Sequence, residues 1–102
     1  MNKYADFVKT KLDKRTLYEQ LAEEAAELSK AALKVIRARG MNNNVTPIDP
    51  IQAENDLLEE AADVMGVLAL LIPDDRYKNF VSYWKIERWA ERLGYQEGEK
   101  DA

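Results

Sequence analysis

Apolar residues recur along this chain at helical rather than strand spacing. Tyr4, Phe7, Val8 and Leu12 follow Asn2, a suitable N-cap, and predict a short first helix over about 3–13. Thr16 then offers a cap for a second helix, whose stripe of Leu17, Leu21, Ala25, Leu28, Ala32, Val35 and Ile36 continues until Arg37 and Arg39 meet Gly40. At about 24 residues it would be about 36 Å long. The stretch GMNNNVTPID has no periodicity and is rich in turn formers, so it reads as a loop. Asp49, Pro50 and Gln52 then supply a cap, a first-turn proline and a capping-box amide for a third helix that reaches about Ile72. Pro73 breaks the chain, and Asp74-Asp75 cap a fourth helix that ends near Gly94.

The third helix changes character along its length. It is amphipathic up to Asp63, whereas Val64 to Ile72 is apolar on every side. A helix apolar all round has to be buried all round. Three short neighbours within 102 residues supply too little cover, so the pattern predicts an all-α, antiparallel bundle of about four helices completed by oligomerisation, with residues 1–102 as a single domain.

Composition narrows the chemistry. With no cysteine and no histidine, disulfides, thiol chemistry, an imidazole base and the usual zinc ligands are excluded, and any metal must be held by oxygen. The start, MNKYADFVKTKLDK, has no apolar leader core, and the longest apolar run is too short to span a bilayer, which predicts a cytoplasmic protein without a membrane partner. Nineteen acidic against fifteen basic side chains argue against a polymeric nucleic-acid surface, while leaving room for a smaller phosphate ligand.

Two acidic pentads then stand out, Glu23-Glu24-Ala25-Ala26-Glu27 and Glu59-Glu60-Ala61-Ala62-Asp63. Both lie too far into their helices for the helix dipole to favour them. Glu27 and Asp63 also have no basic residue four places away, as a solvated acidic face usually provides, and only Lys30 is close by. The paired alanines predict a close helix approach that brings both sets of acids to one space. At about 100° per residue, Glu24 and Glu27 share one side of the second helix, and Glu60 and Asp63 form the matching pair on the third; Glu23 lies at the rim and Glu59 points elsewhere. Four such carboxylates cannot all stay ionised in a groove without a cation, and all-oxygen ligation selects Mg²⁺, Mn²⁺ or Ca²⁺. A di-iron helical site needs histidines that this chain lacks.

The pair Glu23-Glu24-x-x-Glu27 and Glu60-x-x-Asp63 resembles the motif of the MazG-like all-α nucleoside triphosphate pyrophosphohydrolases, a superfamily that includes dimeric dUTPases and phosphoribosyl-ATP pyrophosphatases. The likeness extends from about Leu17 to Leu93, with a spacer over 28–59 that is longer than usual. The resemblance implies that Glu24, Glu27, Glu60 and Asp63 ligate Mg²⁺, with Mn²⁺ as the alternative, and that Glu23 positions or deprotonates the attacking water, making Glu23 and Glu27 the catalytic pair. The implied reaction converts a nucleoside triphosphate to its monophosphate and pyrophosphate, in a homo-oligomer (dimer or tetramer).

That chemistry also needs positive charge over the departing pyrophosphate. Lys85, Arg88 and Arg92 fall on one stripe of the fourth helix, with Lys78 in line, and are expected to bind the substrate phosphates; Lys30, Lys34 or a neighbouring subunit are the fallback. The competing reading of the stripe is a solvated face offset by Glu87 and Glu91. Trp84 and Trp89 read as core or interface anchors, and the loop over 40–49 as a connector. The competing function for the whole chain is a non-catalytic helical oligomerisation or adaptor module whose acids form a solvated face. A Ca²⁺-binding protein is a third reading, without the EF-hand loop pattern.

Overall fold

The computed structural model describes residues 3–72, 76 and 86–96. Among them the regular structure is all helical: α1 (Lys3–Lys11), α2 (Lys14–Ala38), α3 (Pro50–Leu71) and α4 (Ile86–Arg92). The expected Asn2 cap, the Pro73 break, the Asp74-Asp75 caps and the side chains of Lys78, Trp84 and Lys85 lie outside the described residues.

The helix ends follow from local chemistry, with two corrections. Asp13, not Thr16, caps α2, its Oδ1 accepting from the Thr16 backbone N–H at 2.8 Å. Aspartate precedes a first turn that needs an acceptor, which leaves Thr16 inside the helix. Asp49 caps α3 as expected, accepting from the Ile51 N–H at 3.1 Å with Pro50 in the first turn. Gln52, however, donates forward to Asp56 at 2.9 Å instead of reaching back, so the reciprocal half of the box is not made. At the end of α2, Gly40 takes φ 67°. Its N–H reaches the Arg37 carbonyl at 3.2 Å and the Met41 N–H reaches Ile36 at 2.9 Å, the two bonds of a Schellman ending.

Packing among the described helices is concentrated between α2 and α3. On α2 the covered residues include a line of Leu17, Leu21, Glu24, Leu28, Ala31 and Val35, in alternating steps of four and three, broadening to Lys34, Ile36, Arg37 and Ala38 at the end of the helix. On α3 the same rhythm gives Ala53, Leu57, Glu60, Val64, Val67 and Leu71. Such steps hold a narrow seam on one side of a helix. Steps of four alone drift around it, and so Ala25 and Ala32, expected in the stripe, are exposed while Ala31 is buried. The most closely covered alanines are Ala31 and the fully buried Ala53; of the alanines beside the acids Ala61 is half-buried, while Ala25, Ala26 and Ala62 are exposed.

The loop between α2 and α3 is tied down at both ends. Arg39 at the end of α2 bonds Glu54 in the first turns of α3, with Nε at 2.8 Å and a terminal nitrogen at 2.6 Å. Arg37 Nε donates to Thr46 Oγ1 at 3.0 Å. At the opposite end, Leu17 shares a cleft with Leu70 and Leu71, closed off by Lys9 and Leu12. Among the described residues only Leu17, Ala31 and Ala53 are buried apolar side chains. The radius of gyration is 18.0 Å, against about 13 Å for a compact domain of about 100 residues. No described helix is long and apolar enough to cross a membrane.

Candidate metal centre

Glu24 and Glu60 occupy seam positions where a helix pair ordinarily places leucine, and each is half-buried there. Asp63, one turn beyond Glu60, is exposed on the flank of α3. Seam geometry aims Glu24 and Glu60 at each other from two helices, and the turn of α3 brings Asp63 beside them. One carboxylate oxygen from each of the three lies within 4.8 Å of the others.

The electrostatics match this crowding. The Glu60 carboxyl is pushed above its ordinary value first by burial, then by the negative charges of Asp63, Glu24, Glu27 and Glu59. Gln20 Nε2 donates to Glu24 Oε1 at 2.7 Å, fixing one oxygen of that carboxylate from a turn away. Gln20 escaped the reading of the acidic pattern; its signal in the sequence is a glutamine four residues before Glu24 on the same side of α2.

The other expected residues are placed differently. Glu27 is exposed and lies 3.6 Å from Lys30, outside the group of three. It remains at the edge, lining an open depression with Glu59 and Glu60. Glu59 was expected to point elsewhere; a residue adjacent to the seam on α3 still borders the groove, and it joins Glu27 in raising the Glu60 carboxyl. Glu23 is exposed, in keeping with a rim position. Arg88 and Arg92 are exposed on α4, and Lys85 lies outside the described residues. Trp89 is 59% exposed, so within a single chain it is not a core residue.

Three carboxylates from two helices, in a chain without histidine or cysteine, could serve as ligands to a hard divalent cation. Mg²⁺ holds oxygens at about 2.0–2.1 Å, so opposite ligands stand about 4.2 Å apart. Adjacent ligands at that bond length stand only about 2.9 Å apart, so binding would require the side chains to draw the three oxygens together, a rotation that exposed Asp63 is free to make. An ion held by three carboxylates alone would keep coordination positions for water or other oxygen ligands. Set against family models, curated proteins and solved structures, the chain gives no significant match.

Proposed function

We propose that the protein is a Mg²⁺-dependent nucleoside triphosphate pyrophosphohydrolase, acting in the cytoplasm as a homo-oligomer in which a second copy completes an antiparallel helical bundle. The observation that carries this reading is the meeting of Glu24, Glu60 and Asp63 across a seam that apolar residues would otherwise close. Like charges in a half-buried seam destabilise the pairing unless a cation offsets them, so the arrangement makes physical sense as a ligand set. The motif likeness supports the choice of reaction.

In this reading Glu24, Glu60 and Asp63 hold the ion, and Gln20 holds Glu24 in place. Bound Mg²⁺ would acidify water and offset charge on the phosphates. Glu27 stands at the edge of the group, able to complete the ligand set or to accept the proton of the attacking water, and Glu23 orients that water from the rim. Water oxygen bonds to the α-phosphorus, the bond from that phosphorus to the bridging oxygen breaks, and pyrophosphate leaves with the electron pair. Basic side chains must then offset its charge, with Lys85, Arg88 and Arg92 as the sequence-based proposal.

The rival reading, a helical oligomerisation module, draws on one observation: Glu23, Glu27, Glu59 and Asp63 are all exposed. Thermal melting with and without Mg²⁺ separates the two. A specific site raises the melting temperature with a saturable dependence on the ion, and Asp63→Asn removes the rise; a solvated face gives no saturable rise in either protein. Pyrophosphate release from a panel of nucleoside triphosphates then tests the reaction. It should be lost in Glu60→Gln and Asp63→Asn, and unchanged release in both variants would sink the assignment.

A further inference from the structure

Beyond the carboxylate group, the groove between α2 and α3 continues toward the loop over 39–49, and its α2 wall changes sign. Glu27, Lys30, Lys34 and Arg37 follow at steps of three and four, one line along the flank of the helix. They border the depression of about 350 Å³ whose α3 wall includes Asp56, Glu59 and Glu60. Lys30 has Glu27 as its only ion partner among the described residues, at 3.6 Å. Lys34 is half-buried, and no ion pair within 4.0 Å joins it to an acid among the described residues. Arg37 spends Nε on Thr46 Oγ1 at 3.0 Å, which orients the guanidinium and leaves its terminal nitrogens without an ion pair among those residues.

A half-buried lysine and an anchored guanidinium, neither in an ion pair among the described residues, line the same depression as Glu27 and Glu60. From Lys30 to Arg37 the line runs about 10 Å along the helix, a length suited to successive phosphate groups. We infer that Lys30, Lys34 and Arg37 seat the anionic tail of the substrate, the part that leaves as pyrophosphate, with the metal group at one end of the chain of phosphates. This rests on the metal reading above and moves the phosphate grip from α4 to α2. Lys34 serves as a point charge, whereas the Arg37 fork can take two oxygens of one phosphate.

The test is calorimetric titration of the full chain with inorganic pyrophosphate in saturating Mg²⁺, alongside titration with Mg²⁺ alone. Lys34→Met and Lys34→Gln should each bind pyrophosphate at least about tenfold more weakly, and Arg37→Lys should show a similar loss, since charge without the fork is not enough. Mg²⁺ affinity in these variants should hold or tighten, helical circular dichroism should stay unchanged, and Arg15→Gln, at the remote start of α2 and paired with Glu19, should behave as wild type. Wild-type pyrophosphate affinity in both Lys34 variants and in Arg37→Lys, with Mg²⁺ binding intact, overturns the inference and leaves the metal reading standing. A loss confined to Arg88→Gln also overturns it, by returning the phosphates to α4. Failure of the wild-type protein to bind Mg²⁺ overturns the metal reading itself, and the inference with it.

Discussion

At Glu60, burial at the seam and four neighbouring carboxylates act in the same direction, raising the carboxyl above its ordinary value. A raised folded-state value means that, between the ordinary and the raised pKa, the folded chain holds a proton that the unfolded chain has released. The ionised form therefore burdens the fold above the raised value, and stability is recovered as pH falls through it. In chelator, the difference in melting temperature between Glu60→Gln and wild type should be largest at neutral pH, favouring the variant, and should shrink as pH falls toward the carboxylate range. Mg²⁺ should reverse the order at neutral pH by stabilising wild type alone. A difference that does not vary with pH would remove Glu60 from this role. Gln20 acts one step further out. Gln20→Ala frees the Glu24 carboxylate to rotate, and Mg²⁺ affinity measured by calorimetry should fall by about ten- to a hundredfold, with helicity retained. At this scale the acids were readable as two motifs because their charge breaks the apolar rhythm. Gln20 stood out less, because an uncharged amide does not break that rhythm, although its place four residues before Glu24 was there to be read.

Among the elements, α2 depends on Asp13 for its first turn. The Thr16 backbone N–H and the Thr16 side chain both lower the Asp13 carboxyl, so the ionised cap adds stability above the ordinary carboxylate range, and that contribution is lost as pH falls through the lowered value. Asp13→Ala should lower the melting temperature at neutral pH, and the gap from wild type should close in strong acid; melting curves across pH measure both. At the other end of the hairpin, Ala53 has no exposed surface. Ala53→Leu would force α2 and α3 apart and should cost about 1–3 kcal/mol in denaturant unfolding, while Ala25→Leu, on an exposed face, should cost far less. Helix existence and the turn at Gly40 were legible, since periodicity and glycine both act locally. The facing side of α2 was less so. Alanine is too small to mark a face, and only the partner helix distinguishes Ala31 from Ala32.

At the scale of the whole molecule, Leu17, Ala31 and Ala53 are the buried apolar side chains among the described residues, and large apolar side chains such as Leu58 and Met65 of α3 stay exposed there. Met65 is 55% exposed in the middle of the apolar run, and Tyr4 and Val8 of α1 border an apolar groove along α3 with Gly66 and Val67. Sedimentation at micromolar concentration should give a dimer or tetramer, and Met65→Lys should shift it toward monomer; a stable monomer in the wild type would refute the bundle. The expectation of a partner comes from the run from Val64 to Ile72, whose excess of apolar positions is a property of sequence alone.

The two glutamates at the centre of the helix pair carry a consequence for assembly. On the proposed reading, drawing them together around an ion would stiffen the hairpin whose outer faces a second copy would cover, and docking that copy would hold the glutamates in place before any ion arrives. Thermodynamic linkage requires the two effects to be equal: whatever factor Mg²⁺ adds to the association constant, association adds to the affinity for Mg²⁺. A dilute chain would then lose its ion and its partner over the same range of concentration, so protein concentration itself would act as a control on loading.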